Sequence, residues 1–288
     1  MSRIPPEFAL DKQQVRRAFS RAAESYDEAA VLQREVGERL SLRLDYIRLQ
    51  PDVILDLGAG SGLVTELLLR RFRKATLLAV DFSEPMLKRA KRRGSWRRRP
   101  RAVCADALRL PIADEAVDLV FSNLMLQWCR PLEPYLAEVR RVLVRGGLFL
   151  FSTFGPDTLK ELRQAWRAVD GAAHAHEFID MHDIGDMLLN CGFSEPVVNM
   201  EMFTLTYPDV IRLMRDLKAV GATNAAVTRA RGLTGTGGLE AVAAAYEPLR
   251  GEDGRLPLSY EVIYGAAWAP DAPAPSMMPD NMKRVFSA

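Results

Sequence analysis

The sequence predicts an α/β fold built on a mostly parallel, doubly wound sheet, and three observations carry that expectation. Apolar runs of strand length alternate with segments of helical period from Val53 to Phe154. A glycine-rich turn, DLGAGSG, joins the first of these runs to the helix that follows. Two acidic residues, Asp81 and Asp106, close the next two runs. Strands separated by helices need crossover connections, and such connections favour parallel pairing.

In chain order, the first stretch from Asp11 to about Leu49 is helical. Val15, Phe19, Ala22, Ala23, Tyr26 and Ala30 recur at three- and four-residue steps, and a second helix runs through Val36 and Leu40. Pro51 stops the pattern. VILDLG is then a buried strand, LVTELLLRRF a helix and TLLAVD a strand; EPMLKRAKRR is a helix with Ser83 as its N-cap and Pro85 in its first turn. RAVCAD, VDLVFSN and LFLFSTF read as further strands, with helices near residues 135–144 and 158–169 between and after them. A helix over 182–189 is closed by Asn190, Cys191 and Gly192. VVNMEMFTLTY is a sixth strand. PDVIRLMRDLKAVGATN is helical, a Gly/Thr/Ala-rich stretch continues to about Arg250, and LSYEVIYGAAW is the last strand. The Pro-rich tail beyond Pro270 is expected to be disordered.

Composition narrows the function classes. A chain of 288 residues with 48% hydrophobic residues can bury a sizeable core. A net charge of +2 does not mark a nucleic-acid or membrane binder. The three cysteines, Cys104, Cys129 and Cys191, have no metal-ligand spacing and read as reduced thiols. The N-terminus lacks an apolar leader or a basic presequence, and no apolar run approaches a membrane span. The expectation is a cytoplasmic protein with no membrane, nucleic-acid or metal partner.

The glycine turn points to a ligand. Glycine removes the Cβ and lets backbone approach a bound molecule closely. A dinucleotide site calls for G-x-G-x-x-G aimed at a pyrophosphate, whereas this turn is G-x-G-x-G with Asp56 two residues ahead of it. Asp81 ends the second strand, where a carboxylate can take both hydroxyls of a ribose. Asp106 ends the third strand, placed to meet an adenine amino group. Three acids around one glycine turn fit an adenosine-containing ligand without phosphates, and S-adenosyl-L-methionine is that ligand.

DLGAGSG, AVDFSEPML, ADALRLPIADEAVDLVFSN and RVLVRGGLFLFSTF, in this order, resemble the class I S-adenosylmethionine-dependent methyltransferases. The likeness implies a Rossmann-like fold with a seven-stranded sheet and helices on both faces. It implies cofactor contacts at Asp56, Gly58, Ala59, Gly60, Gly62, Asp81, Phe82, Met86, Asp106, Ala107 and Asn123. A narrower likeness spans about Asp11 to Pro270. RAFSRAAESYDEAAVLQREVGERL, SNLMLQWC, FGPDTLKELRQAW, FIDMHDIGDMLLNCGF, LTYPDVIRLMRDLKAVGATN and DGRLPLSYEVIYGAAWAP resemble the malonyl-[acyl-carrier-protein] O-methyltransferases of biotin synthesis. Related complex I assembly factors, which act on a protein arginine, share much of this pattern; LKAVGATN is closer to the methyltransferases. One departure is HAHEF, where His176 and Glu177 stand in place of an asparagine and an arginine.

The resemblance implies a helical lid over residues 1–50, a cofactor-binding core over 51–207, a substrate-capping insertion over 208–255 and a final core strand over 256–270. It implies methyl transfer to the free carboxylate of a malonyl thioester on acyl carrier protein. Such a carboxylate, with an ordinary pKa near ~4, is already a nucleophilic anion at neutral pH and needs no general base. Two readings stand for Tyr26 and Phe19, placed on one face of the first helix: packing, or closure over the cofactor with Tyr26 near the transferred methyl. Asn123, Leu124, Gln127 and Trp128 follow the fourth strand at the ligand-binding edge, with core packing the alternative for Trp128. Val210, Leu213, Met214, Leu217 and Val220 form the apolar stripe of the insertion helix. Lys218 borders that stripe and is the candidate to meet the substrate carboxylate, with Arg215 and Arg229 as alternatives and a surface lysine as the plainer reading.

His174, His176 and Asp183 supply the residue types of a two-histidine, one-carboxylate iron site, and nothing else in the sequence supports a metal. KRAKRRGSWRRRPR, residues 88–101, is the most basic run. The topology sends it away from the ligand edge, which favours a solvated loop over a site for an acidic partner.

Overall fold

A computed structural model describes residues 10–169, 177–222, 224–225, 227 and 235–271. Seven strands form one sheet: β1 (Val53–Leu57), β2 (Thr76–Asp81), β3 (Arg101–Cys104), β4 (Val117–Ser122), β5 (Leu143–Phe154), β6 (Ser194–Tyr207) and β7 (Leu256–Trp268). Their order is β3-β2-β1-β4-β5-β7-β6. The pairs from β3 through β5 are parallel, and β7 runs antiparallel to both β5 and β6. Chain order reverses at β1, whose neighbours are β2 and β4. A crevice opens there at the carboxyl ends of the strands.

Side chains alternate across the sheet and divide the core in two. Ile54, Leu119, Phe121, Leu148 and Leu150 face one layer. Leu55, Leu57, Val120, Phe149 and Phe151 face the other. The first layer is covered by α3 (Val31–Leu42), α4 (Leu63–Arg71), α7 (Lys160–Val169), α9 (Val210–Ala219) and α10 (Thr236–Tyr246). The second is covered by α6 (Leu132–Val142) and α8 (Met181–Asn190), while α5 (Glu84–Ala90) packs on β2 and β3.

The helix ends follow local chemistry. Asp11, Asp180 and Asp209 accept amide hydrogens of the first turns of α1 (Lys12–Ala22), α8 and α9. Ser83 stands at the N-cap position of α5, but its hydroxyl makes no cap bond and lies 3.0 Å from that of Ser20 instead.

The structure differs from the sequence reading in two places. The N-terminal helical stretch is broken, because the Ser25 amide bonds back to the Ala22 carbonyl and Ala30 leaves the helical region at ψ 47°. Tyr26 therefore opens a separate short helix, α2 (Tyr26–Ala29), and does not share a helix with Phe19. The Gly/Thr/Ala-rich stretch contains α10. Its alanines favour helix, and Val242 and Tyr246, one turn apart, are both fully buried. Among the described residues, no helix is long and apolar enough to cross a membrane.

Candidate active site

The glycine turn is fixed before any ligand is considered. The amides of Gly58 and Ala59 both donate to the Val80 carbonyl at the end of β2 (2.9 and 3.0 Å), and the Gly60 amide donates to Asp81 Oδ2 (2.9 Å). All three glycines have positive φ. What surrounds each differs. A Cβ on Gly58 would lie 2.4 Å from Met125 Cγ, and one on Gly62 would lie 2.8 Å from the Ala90 backbone, so packing demands both. Among the described residues, a Cβ on Gly60 would meet no atom within 4 Å. Gly60 faces open space.

That space is a cavity over the ends of β1, β2 and β4. Gly58, Gly60, Asp81 and Phe82 line its floor, Asp106 and Ala107 one side, and Asn123, Leu124 and Trp128 the other. Phe19 and Tyr26 reach it from above, on different helices. The positions expected at the site therefore converge largely as the motif order implies. Asn123 is held on both ends of its amide, donating to the Gln33 carbonyl (2.9 Å) and accepting from Ser152 Oγ (2.8 Å).

Several expected residues lie elsewhere. Asp56 is 1% exposed and sits beneath the turn, where its Oδ2 accepts from Thr65 Oγ1 at 2.5 Å and ties β1 to α4. Burial pushes its carboxyl up to about 7, against the Thr65 bond, with Asp81 adding to the rise. Ala59, Gly62 and the buried Met86 support the turn and α5 without lining the cavity. Gln127 is buried in a bonding role, donating to the Leu124 carbonyl and accepting from Thr153.

Lys218 and Arg215 are exposed on α9 and line no part of this cavity. Lys218 lies two turns from Ile211, and Ile211 is 51% exposed, so that side of the helix faces outward. The apolar stripe is narrower there than the sequence suggests. Arg229, His174 and His176 lie outside the described residues. Among the described residues, no three His, Cys, Asp or Glu side chains are grouped to hold a metal ion.

The electrostatics divide along the cavity. Burial pushes the Asp81 carboxyl up to about 6, although the amides of Ser83, Gly60 and Phe82 pull it down. Burial also raises the Tyr26 phenol far above its ordinary value, and the nearby Asp81 and Asp27 carboxylates raise it further. The hydroxyl stays protonated and can donate. Burial would raise Asp106 as well, but the Leu108 amide and the Lys12 ammonium hold it below the usual carboxylate range.

Sequence reasoning missed Lys12, Val15, Met125 and Cys129 in the wall. Lys12 and Val15 were legible in principle, since they stand seven and four residues before Phe19 on one face of α1. Met125 and Cys129 belong to the same irregular segment as Leu124 and Trp128.

The roof is tied to the floor at several points. Lys12 Nζ pairs with Asp106 at 2.9 Å. The Phe19 ring packs edge-on against Trp128, with centroids 5.4 Å apart, and tilted against Phe82. Asp27 Oδ2 accepts from Arg89 (2.9 Å) and Arg93 (2.5 Å) on the far side of α2. Arg93 also donates to the Ser61 carbonyl in the glycine turn (3.0 Å). The basic run is thus only partly solvated, because α5 is short and its end curls back over the turn. Arg98 of the same run donates to the Leu69 and Phe72 carbonyls that end α4.

Comparison with known proteins agrees with this geometry. Residues 55–151 match the family model described as a methyltransferase domain. A protein of Nitrosospira multiformis named malonyl-[acyl-carrier protein] O-methyltransferase is 50% identical, over 96% of this chain and 94% of its own. A protein of the same name from Halorhodospira halophila is 52% identical, over 90% of this chain and 88% of its own. Among solved structures, a Bacillus halodurans protein assigned as a methyltransferase aligns with a TM-score of 0.57 at 19% identity. That alignment covers 80% of this chain and 98% of the other, a likeness of fold.

Proposed function

This chain belongs to the malonyl-[acyl-carrier protein] O-methyltransferase family, and from that premise we propose how its residues serve the reaction. The protein transfers the methyl group of S-adenosylmethionine to the free carboxylate of a malonyl thioester carried by acyl carrier protein. The product is a methyl ester in which one end of a dicarboxylate is masked, so that the unit can enter chain elongation as a monoacid. The observation that carries this reading is the open space at Gly60, beside Asp81 and under Tyr26.

The cavity suits the cofactor. A Cβ at Gly60 would fill room that no atom of the described residues occupies, and Asp81, half-buried at the end of β2, offers a carboxylate for ribose hydroxyls. Phe82, Ala107 and Asn123 line the same cavity, and Asp106 is the candidate to meet the adenine amino group. When bound, S-adenosylmethionine supplies an electrophilic methyl on a sulfonium. No proton moves in the transfer, since the acceptor is already an anion, and none of the residues in the wall has to act as a base. The chain's contribution is alignment and exclusion of water. Tyr26, kept protonated, donates to the acceptor carboxylate. Phe19, Leu124 and Trp128 close an apolar wall around it.

The direct test is mass spectrometry of malonyl-acyl carrier protein after incubation with cofactor, where a single added methyl ester is expected. No mass change on that acceptor would reject the proposal. Tyr26→Phe should lower kcat about tenfold while leaving cofactor affinity unchanged, the share of one lost hydrogen bond. Wild-type turnover would return Tyr26 to a packing role.

Cofactor affinity should also follow Asp81. Ribose hydroxyls donate better to an ionised carboxylate than to a neutral one, so binding lowers a pKa that stands at about 6 in the free protein. Affinity is then level above that pH and falls below it, by up to about tenfold per pH unit, with proton release on binding near the midpoint. Calorimetry between pH 5 and 8 in two buffers reads both effects. A Kd constant over that range would remove Asp81 from the cofactor site.

A further inference from the structure

A second cavity of about 630 Å³ lies on the other side of α2. Leu32 and Gln33 of α3, Tyr207 at the end of β6, Tyr260 of β7, and Asp216 and Leu217 of α9 line it. Like the first, it opens at the carboxyl end of the sheet, where ligands of such folds bind. The two chambers are close neighbours. Tyr26 lines the first and Ala29 the second, a separation of about 4.5 Å of helix rise. The bond from Asn123 of the first chamber to the backbone carbonyl of Gln33 joins their walls.

The chemistry of the second chamber is one-sided in charge. Leu32 and Leu217 give it an apolar face. Its polar groups are the Asp216 carboxylate and the side-chain oxygen of Gln33, which accept hydrogen bonds, and the Thr206, Tyr207 and Tyr260 hydroxyls, which can also donate. The Gln33 oxygen is closed off from solvent and has no donor among the described residues. An unmet buried acceptor is costly unless a partner arrives. Among the described residues, no lysine or arginine lines the chamber, and Arg212 pairs with Asp216 on the exposed side of α9. An anion entering here would meet the Asp216 carboxylate, while Arg212, which pairs with it, does not line the chamber. A chain that alternates methylene segments with amide N–H and hydroxyl donors meets what the wall offers.

We propose that this chamber seats the pantetheine portion of the thioester acceptor, with Gln33 accepting from one of its amide N–H groups. The proposal rests on the malonyl-thioester reading above. The malonyl end would then lie in the first chamber beside Tyr26, and its amide-bearing arm would continue past α2 into the second. Recognition of the acceptor would be divided between two chambers, with the anionic end read in one and the amide arm in the other.

A series of acceptors that differ only in the arm tests this: malonyl-pantetheine with two amides, malonyl-N-acetylcysteamine with one, and malonyl ethyl thioester with none. In the wild type, kcat/KM should rise with the number of amides. Gln33→Leu should lower kcat/KM for malonyl-pantetheine about tenfold, chiefly through KM. It should leave the ethyl thioester and cofactor affinity untouched. Should Gln33→Leu fail to fold, Ala29→Leu, which grows into the chamber from α2, should show the same dependence on the arm. If a soluble variant slows all three acceptors equally, or the wild type does not distinguish them, the chamber does not hold the arm and the proposal is overturned. If the wild type methylates malonyl-acyl carrier protein but none of these thioesters, the arm alone is not read and this inference is overturned; if it methylates neither, the proposed function itself falls, and this inference with it.

Discussion

Gly60→Val is expected to weaken S-adenosylmethionine binding at least about 100-fold, beyond what calorimetry detects, while the protein stays folded. The reason is the contrast among the three glycines of the turn. Valine at Gly60 would project into the cavity, where no atom of the described residues lies within 4 Å of the new Cβ. The cost to the free protein is limited to backbone strain at φ 53°, about 1–3 kcal/mol for a branched residue. The ligand, by contrast, loses the volume it needs and meets an overpacked surface. Gly58→Ala makes the useful comparison, since its Cβ would press on Met125 at 2.4 Å and the penalty should fall on stability first. Wild-type affinity in a folded Gly60→Val protein would show that the cofactor does not lie over this turn.

Asp81→Ala is the second large effect. Loss of two charge-assisted hydrogen bonds should cost about 2–4 kcal/mol of cofactor binding, roughly 30- to 1,000-fold in Kd. Stability should move much less, for two opposed reasons. The carboxylate accepts the amides of Gly60 and Ser83 (2.9 and 2.8 Å), which the variant leaves unmet. Against that, its pKa of about 6 shows that burial disfavours the ionised group in the free protein, and removal relieves this. A folded but destabilised variant that keeps wild-type affinity in calorimetry would sink the ribose assignment.

The central strands and the turn were legible because local signals and the global fold agree there. Ile54 and Leu55 need opposite faces of a sheet buried on both sides, which a continuous apolar run supplies. Gly60 and Asp81 were legible for a different reason: their spacing reflects a ligand as well as packing. Where the reading failed, tertiary contacts decided. The helical period through Phe19 and Tyr26 is unbroken, yet the chain turns at Ser25. Lys218 was placed by the edge of an apolar stripe, and only the exposure of Ile211 shows where that edge lies. Asp56 looked like a ligand contact, since a buried carboxylate bonded to Thr65 and a cavity carboxylate have the same sequence. The role of Arg93 was invisible, as nothing local couples residue 93 to residue 27.

In Arg93, one guanidinium grips Asp27 in the roof and the Ser61 carbonyl in the floor. A roof helix that swings outward has to pull on that guanidinium, and so on the loop beneath the cofactor. Were that helix to move, the surface that holds the guest would slacken as the way out appeared, and hold and release would be two settings of a single fastening.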